Sequence, residues 1–401
     1  MSAAAEPSPR RAVLREPELA PLRARLASAA AESLALLPSG ARPLDGPARV
    51  TVVVLSRDRF AATANALRSL AEHVRLPFHL LLVDNGSAPE VRRQVAAAAG
   101  CFPSCEVLQL EQNLGCAGGR QRAVERVATE YVLFLDADAE VFPGTAELLV
   151  DQLDREPEAL AAGAQVVLPD GTVQLCGGDY EEDGILLRFV PSGRGSAFGE
   201  PPWRDASACR WLAGAGALVR TAVFAEFPLD TELAYYEDNE WCYRIESASP
   251  GRLRRVPQAL VLHHQESKER RGSDLAALSA SLPFLEAAAR IWRRHGRILD
   301  GFFGFVPELC GADGPDVAAA RIWLDLLNAW GSERMLLAWC AGELRILASG
   351  ARERELETAR AELADVRAER DRLARELGAI HGSRLWRLAD LYWSLRRAIR
   401  W

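Results

Sequence analysis

Long hydrophobic runs are missing from this sequence of 401 residues. It has no segment of eighteen consecutive apolar residues, so no membrane-spanning helix is predicted. The first stretch, MSAAAEPSPRRAVLREPELAPL, carries acids and prolines where a secretory signal peptide needs an apolar centre. We therefore expect a cytoplasmic protein, and contact with the inner face of the cell membrane stays open.

Paired cysteines and an excess of positive charge are missing as well. The eight cysteines include no Cys-x-x-Cys pair, which argues against a zinc site and against a disulfide framework. Free thiols of this kind fit a reducing cytoplasm. The formal net charge of -7 argues against a nucleic-acid partner. The composition, with 49% hydrophobic and 26% charged residues, is that of a globular protein with a sizeable core.

Strands and helices alternate from residue 49 onward. Segments rich in apolar residues predict strands at 49–56, 78–87, 105–113 and 131–135, the first and the last of them buried, and helical patterns lie between them. This alternation is typical of right-handed βαβ units and a mainly parallel sheet. Around Asp170 and Gly171 the pattern changes to that of a hairpin. The sequence therefore predicts an α/β domain over 49–275.

Four further segments flank this domain. Residues 1–48 form an N-terminal extension with a helix over 17–36, and residues 276–350 have a helical pattern. Residues 351–380 predict a short coiled coil, because one seam of heptads carries Leu356, Ala359, Leu363, Val366, Leu373, Leu377 and Ile380. Residues 381–401 predict a basic, tryptophan-containing amphipathic helix, which could lie on a membrane or pack on its own domain or a partner. The coiled coil predicts a homodimer unless residues 281–350 fold back and cover its seam, and for the tail, peripheral membrane contact and packing on protein stay open alike.

Two aspartates follow the fourth predicted strand. Asp136 and Asp138 are two residues apart, so in an extended chain their side chains point to the same side. Two neighbouring carboxylates repel each other unless a cation lies between them. Such oxygen ligands suit Mg²⁺ or Mn²⁺, and Mg²⁺ commonly shares its coordination with substrate phosphates. A solvated acidic turn is the other interpretation, because Asp-x-Asp occurs by chance about once in a chain of this length.

Polar residues also follow the first two strands, in LSRDR and VDNGS. Ligands of open parallel sheets bind beyond the carboxyl ends of the strands. There Asp84 can accept hydrogen bonds from a base or a ribose, although a plain turn would explain it too. The segment NLGCAGGRQRA places small residues where a helix begins, so backbone can approach a ligand closely. The first strand is not followed by Gly-x-Gly-x-x-Gly, which argues against a dinucleotide-binding domain.

Seven segments between about residues 50 and 270 resemble the inverting family 2 glycosyltransferases in content and in order. They are VTVVVLSRDR, LLVDNGS, NLGCAGGRQRA, YVLFLDADAEV, WLAGAGALVRTAVF, LDTELAYYEDNEWCYRI and LVLHHQES. The resemblance implies a GT-A fold and Mn²⁺ or Mg²⁺ as cofactor. It implies transfer of a sugar from a nucleoside-diphosphate sugar to a hydroxyl of a glycan or a lipid-linked acceptor, in the synthesis of cell-surface glycan or polysaccharide.

The resemblance also implies roles for individual residues. Asp136 and Asp138 would hold the cation, together with one of His263 and His264, of which we favour His263. Contacts to the nucleotide sugar would come from Ser56, Arg59, Asp84, Asn85, Asn113 and Asp136. Trp211 would shape the acceptor side, and Asp238 would be the catalytic base with Glu237 beside it. The sequence departs from the commonest family pattern at LSRDR, where a Tyr-Asn pair is usual.

Each of the last assignments has a structural alternative. Acidic residues such as Glu237 and Asp238 favour helix N-termini because of the helix dipole. An isolated histidine is usually a core or turn residue, but two histidines directly after the predicted strand ALVL favour a metal ligand.

Two other functions compete with the enzyme. One is a non-catalytic scaffold on a degenerate transferase fold, whose coiled coil and tail carry the function, but the intact Asp136, Asp138 and Asp238 argue against it. The other is a nucleotidyltransferase. It would need a glycine-rich basic loop after the first strand to hold a triphosphate, and LSRDRFAAT contains no glycine.

Overall fold

The computed structural model describes the N-terminal helix, the α/β domain and a short segment after it. The described residues are 16–35, 46–183, 186–199, 205–264, 287, 290–291 and 294–299. The predicted coiled coil over 351–380 and the predicted tail helix over 381–401 lie outside the described residues, as does most of the predicted helical region over 276–350.

Helices and strands alternate through the first half of the described chain, as the sequence predicts. The helices are α1 (Glu16–Ala35), α2 (Phe60–His73), α3 (Pro89–Ala99), α4 (Gly115–Val124), α5 (Thr145–Arg155), α6 (Val223–Glu226) and α7 (Glu237–Ala248). The strands are β1 (Val50–Ser56), β2 (Phe78–Asn85), β3 (Cys105–Leu110), β4 (Tyr131–Asp136), β5 (Ala139–Val141), β6 (Ala161–Val167), β7 (Val173–Cys176), β8 (Gly178–Asp183), β9 (Leu186–Pro191), β10 (Ser207–Cys209), β11 (Ala217–Arg220), β12 (Leu253–His263) and β13 (Ile298–Leu299).

The main sheet is mixed, and one half of it is parallel. Its strand order is β10-β12-β6-β11-β4-β1-β2-β3, with β5 paired to β12 and β7 paired to β6. Strands β4, β1, β2 and β3 are parallel neighbours. Strand β11 runs antiparallel between β4 and β6, and β12 is parallel to β6. The predicted hairpin is confirmed, because β6 and β7 are antiparallel and Gly171 lies between them with a φ of 80°.

Strands β1, β2 and β4 of the parallel half are largely buried on both faces. Alternate residues of a strand point to opposite faces, and here Val52 and Leu133 belong to one core whereas Val53 and Phe134 belong to another. Burying side chains of this size stabilises the fold by about 1.5–3 kcal/mol each. The carboxyl ends of β1, β2 and β4 are therefore fixed at one edge of the sheet.

Two smaller units complete the described structure. Strands β8, β9 and β13 form a second sheet of three strands. Helix α1 packs on the main sheet, because Leu22, Leu26 and Ala30 share a buried cluster with Phe142 and Leu262. Within the described part of the chain, none of the helices combines the length and the apolar character needed to cross a membrane.

Candidate active site

The predicted convergence of two aspartates is confirmed, but a turn produces it instead of an extended strand. Asp136 is the last residue of β4, and Asp138 lies in the turn that leads into β5. Strand β5 pairs antiparallel with β12, which sets His263 opposite Ala139. Strand pairing thus brings the end of β12 beside the turn after β4.

Asp136, Asp138 and His263 form a cluster that could hold a cation. Each offers one ligand atom, and these atoms all lie within 4.8 Å of one another. His263 Nε2 lies 3.4 Å from Asp138 Oδ1 and 4.0 Å from Asp136 Oδ2. His263 Nδ1 lies 2.8 Å from Gln174 Oε1, an acceptor that orients the ring with Nε2 towards the aspartates. Two carboxylates and an imidazole are a donor set that fits Mn²⁺.

Positive charge surrounds these carboxylates. Arg59 donates to Asp138 Oδ2 at 2.8 Å, and Arg120 donates to Asp136 Oδ1 at 2.6 Å. Burial alone would raise the pKa of Asp138, but the hydrogen bond from His263 and the charges of His263 and Arg59 lower it to about 2. Asp138 is therefore ionised at neutral pH, as a cation ligand must be.

His264 has a different partner. Its Nε2 lies 2.5 Å from Glu140 Oε1, whereas the cluster of ligand atoms contains His263. The geometry thus favours His263 as the histidine of the cation cluster.

A second acidic pair begins helix α7. Asp238 accepts hydrogen bonds from the backbone N–H of Gly214 at 3.0 Å and of Asn239 at 2.8 Å. Glu237 accepts a hydrogen bond from Arg120 at 3.1 Å. Burial raises the pKa of both carboxyls, and Arg120 opposes the shift. A raised pKa moves a carboxylate towards the range in which it acts as a general base.

Arg120 connects the two acidic groups, and sequence reasoning missed it. It is only 5% exposed and contacts both Asp136 and Glu237. Gly214 leaves room for its guanidinium, because a Cβ there would lie 2.2 Å from Nη1. The signal was an arginine inside NLGCAGGRQRA, a segment from which only Asn113 was selected.

The residues predicted to hold the nucleotide gather at the carboxyl edge of the sheet, and three of them are buried: Ser56, Asp84 and Asn85. Ser56 and Asp84 face each other across β1 and β2, each 1% exposed. The Ser56 hydroxyl shares a hydrogen bond of 2.7 Å with Thr63, and Asp84 pairs with Arg92 Nε at 2.7 Å. Their polar atoms thus contact protein groups and fix the strand ends.

Asn85 and Asn113 connect the end of β2 to the start of α4. Asn85 Nδ2 donates to Asn113 Oδ1 at 3.0 Å, and Asn85 Oδ1 accepts from the backbone N–H of Leu114 at 2.9 Å. Asn113 itself is exposed. Of the predicted nucleotide residues, Arg59 and Asp136 are the two that reach the cation cluster directly.

Trp211, predicted on the acceptor side, is buried. Its ring lies against Gly178, where a Cβ would come within 2.1 Å of the indole, and its Nε1 donates to the carbonyl of Asp179 at 2.9 Å. Trp211 thus supports the small sheet from inside.

One segment of this chain matches the model of a known family. Residues 51–175 match the model of glycosyl transferase family 2. The pre-mycofactocin glycosyltransferase of Mycobacterium tuberculosis is 28% identical over 232 residues, which cover 57% of this chain and 46% of that protein. The chain therefore spans about half the length of this relative.

Two further proteins are similar. The N-acetylglucosaminyl-diphospho-decaprenol L-rhamnosyltransferase of Mycobacterium tuberculosis is 27% identical over 226 residues, which cover 50% of this chain and 70% of that protein. A crystal structure of GalNAc-T7 with UDP, GalNAc and Mn²⁺ is 17% identical, covers 61% of this chain and 51% of that chain, and has a TM-score of 0.46. By residues 51–175 and by the two mycobacterial relatives, this chain is similar to the family 2 glycosyltransferases.

Proposed function

We propose that the chain is a metal-dependent inverting glycosyltransferase of the GT-A type. It would move a sugar from a nucleoside-diphosphate sugar to an acceptor hydroxyl. The observation that carries the proposal is the pair of acidic groups on either side of Arg120: Asp136 of the cation cluster and Glu237, next to Asp238, contact the same guanidinium.

The residues of the cluster fit the chemistry of the donor. Asp136, Asp138 and His263 would hold Mn²⁺ or Mg²⁺, which when bound neutralises the charge that develops on the leaving diphosphate. Arg59 and Arg120 add fixed positive charge at the same place.

Asp238 would act on the acceptor. Its carboxylate takes the proton of the acceptor hydroxyl while that oxygen bonds to the anomeric carbon, and the diphosphate leaves with the electron pair of the broken bond. The backbone N–H groups of Gly214 and Asn239 hold one oxygen each, and a carboxylate oxygen has a second lone pair for the proton. One base and attack from the side opposite to the leaving group invert the anomeric centre, as in inverting glycoside hydrolysis.

For the acceptor we propose a glycan or a lipid-linked molecule of a cell-surface polysaccharide pathway. The name of the rhamnosyltransferase relative states a lipid-linked diphosphate substrate for that protein. The similarity to family 2 over residues 51–175 and this relative support the class of acceptor.

The test of the proposed site uses Asp138→Ala. Calorimetry with a panel of UDP- and GDP-sugars should show binding by the parent that depends on Mn²⁺, and the variant should lose it because a hard cation needs its oxygen ligands. Asp205→Ala, at an exposed aspartate, is the matched control. Metal-dependent binding that persists unchanged in Asp138→Ala would overturn the site.

From the sequence alone we further propose self-association through residues 351–380 and membrane contact through residues 381–401. Two basic helices held side by side gain avidity for an anionic surface without any new contact. Removing residues 352–401 should leave donor hydrolysis intact, lower the mass measured by light scattering, and lower pelleting with anionic vesicles. An unchanged mass contradicts the dimer, and unchanged pelleting contradicts the membrane contact.

A further inference from the structure

Glu140, the third acid of the segment LDADAE, lies beside the cation cluster and is not one of its members. It is 7% exposed and receives two hydrogen bonds from Arg23, Nη2 to Oε1 at 2.6 Å and Nε to Oε2 at 2.9 Å. His264 Nε2 lies 2.5 Å from the same Oε1. A carboxylate held by a two-point arginine contact is fixed in orientation as well as in charge.

Arg23 comes from helix α1, which precedes the residues that match the family model. The helix is anchored by apolar side chains on either side of Arg23. Leu22 and Leu26 are 8% and 0% exposed and pack with Leu260 and Leu262 of β12. Strand β12 is the strand that ends at His263. Helix α1 is therefore fixed against β12, the strand that ends at His263, and this fixes the position of Arg23.

Through Glu140 and His264, Arg23 is connected to both Asp138 and His263. The backbone N–H of His264 donates to the carbonyl of Asp138 at 2.9 Å. His263, the residue before, is paired with Ala139 in the β5–β12 ladder. A shift of His264 would therefore move the backbone of Asp138 and the end of β12 relative to each other.

We propose that Arg23, Glu140 and His264 are positioning residues, and that helix α1 sets through them the spacing of Asp138 and His263 for a divalent cation. The proposal rests on the proposed function, because it concerns the same cation site. Groups that orient metal ligands change metal affinity by about 10- to 100-fold when they are removed. A cation that demands near-ideal octahedral geometry, such as Mg²⁺, should respond to the change at least as strongly as Mn²⁺.

The test compares Arg23→Met with Arg25→Met in the full chain. Methionine keeps an unbranched apolar side chain and removes the guanidinium. Arg25 lies on the same helix, is exposed, and donates to the backbone carbonyl of Phe198 at 3.1 Å, away from Glu140. Free Mn²⁺ measured by electron paramagnetic resonance gives the affinity directly, and transfer assays at varied Mn²⁺ and Mg²⁺ give half-saturation and kcat separately.

For Arg23→Met we expect Mn²⁺ affinity to fall about tenfold or more. Because the affinity falls, the half-saturating Mn²⁺ and Mg²⁺ concentrations should rise. The kcat at saturating metal should stay close to the parental value. Arg25→Met should match the parent. A loss of kcat without a change in metal affinity, or parental affinity in Arg23→Met, would overturn the proposal.

A second variant covers the case in which Arg23→Met does not fold. Arg23→Lys keeps the charge and loses the two-point contact, so its Mn²⁺ affinity should lie between those of the parent and Arg23→Met. If Arg23→Met is not folded, the affinity of Arg23→Lys should still lie below that of the parent. Parental affinity in Arg23→Lys together with an unfolded Arg23→Met would show that Arg23 serves only stability and would overturn the proposal.

The outcomes separate the two proposals. If the parent binds Mn²⁺ and Asp138→Ala does not, the cation site stands, and parental affinity in Arg23→Met then removes only the role of α1. If the parent shows no Mn²⁺ binding with UDP or GDP present, both proposals fail.

Discussion

Asp238 is held at both of its oxygens by backbone N–H groups, those of Gly214 and Asn239. This fixes the carboxylate for a proton transfer that needs a defined direction. Asp238→Asn keeps the size and removes the basicity, so transfer should fall by about a hundredfold or more while donor binding survives. Single-turnover rates and calorimetry with the same donor measure the two quantities.

The pH dependence of the same residue gives a second readout. Burial raises the pKa of Asp238, so the protonated, inactive form gains population at a higher pH than for an exposed aspartate. The kcat of the parent should therefore fall as pH is lowered through that pKa, and the residual rate of Asp238→Asn should not follow this profile. Glu226→Gln, at an exposed acid of α6, should keep the parental profile. If Asp238→Asn turns over at the parental rate, Asp238 only begins a helix and the base lies elsewhere.

Single residues show where sequence reasoning stops. Asp136, Asp138 and His263 could be selected because their chemistry and their position after strands point to one edge of a sheet. Asp84 pairs with Arg92, and Ser56 pairs with Thr63. The sequence could not show this, because a polar residue at a strand end has the same sequence pattern whether it contacts a ligand or another protein group. Arg120 was missed because its two partners lie 16 and 117 residues away along the chain.

At the scale of elements, helix α7 is held by a segment from far along the chain. Glu240 of α7 accepts hydrogen bonds from Arg294 at 2.9 Å and shares one of 2.9 Å with His295. Arg244, one turn further along α7, donates to the same carboxylate at 3.1 Å. Strand β13 continues this segment and pairs with β9. Residues 294–299 thus tie the helix that begins with Glu237 and Asp238 to the small sheet.

We expect Glu240→Gln to weaken this attachment and to change its pH dependence. Burial would raise the pKa of Glu240, but the hydrogen bond from His295 and the charges of Arg244 and Arg294 lower it to about 2. A carboxyl whose pKa is lowered by folding stabilises the protein above its unfolded pKa, and that stability is lost as pH falls towards the folded value. The loss in Glu240→Gln should be about 1–3 kcal/mol at neutral pH, and should shrink between the unfolded pKa of about 4.5 and the folded pKa of about 2.

Urea unfolding at neutral and acidic pH measures this difference. Glu90→Gln is the control, because Glu90 makes an exposed pair with Arg93 in the next turn of α3, and such pairs contribute about 0–1 kcal/mol. A variant at Glu240 with the same stability as the parent at every pH would contradict the role of the cluster.

Elements with a strong local pattern could be predicted, and those defined by distant pairing could not. Strands β1 and β4 consist mostly of apolar residues, and helix α2 buries the predicted Ala62, Ala66, Leu67 and Leu70. Strand β11 enters antiparallel between β4 and β6, partners from much earlier in the chain. The pattern of apolar and polar residues in a strand shows which side chains face the core, but it does not show which strands β11 pairs with.

At the scale of the whole molecule, the cation cluster joins two distant parts of the chain. Asp136 ends β4 and Asp138 lies in the turn after it, whereas His263 ends β12, which is separated from β4 in the main sheet by β6 and β11. A ligand that binds the folded chain and not the unfolded chain stabilises it by RT ln(1 + [L]/Kd). Because the cluster spans both parts of the sheet, such a ligand should stabilise the whole sheet and not a single loop.

We therefore expect Mn²⁺ with UDP or GDP, tested separately, to raise the Tm of the parent, and EDTA to abolish the part of the shift that depends on metal. At a ligand concentration of 100 times Kd the gain is about 2.7 kcal/mol, which corresponds to roughly 5–10 °C for a domain of this size. His263→Ala should lose the metal-dependent shift, since it removes one of the three groups proposed to hold the cation. His79→Ala should keep it, because His79 lies at the opposite end of β2 and contacts Ser104. A full metal-dependent Tm shift in His263→Ala would exclude His263 as a ligand. Loss of that shift in His263→Ala, a variant that retains His264, would assign the histidine ligand of the cation to His263.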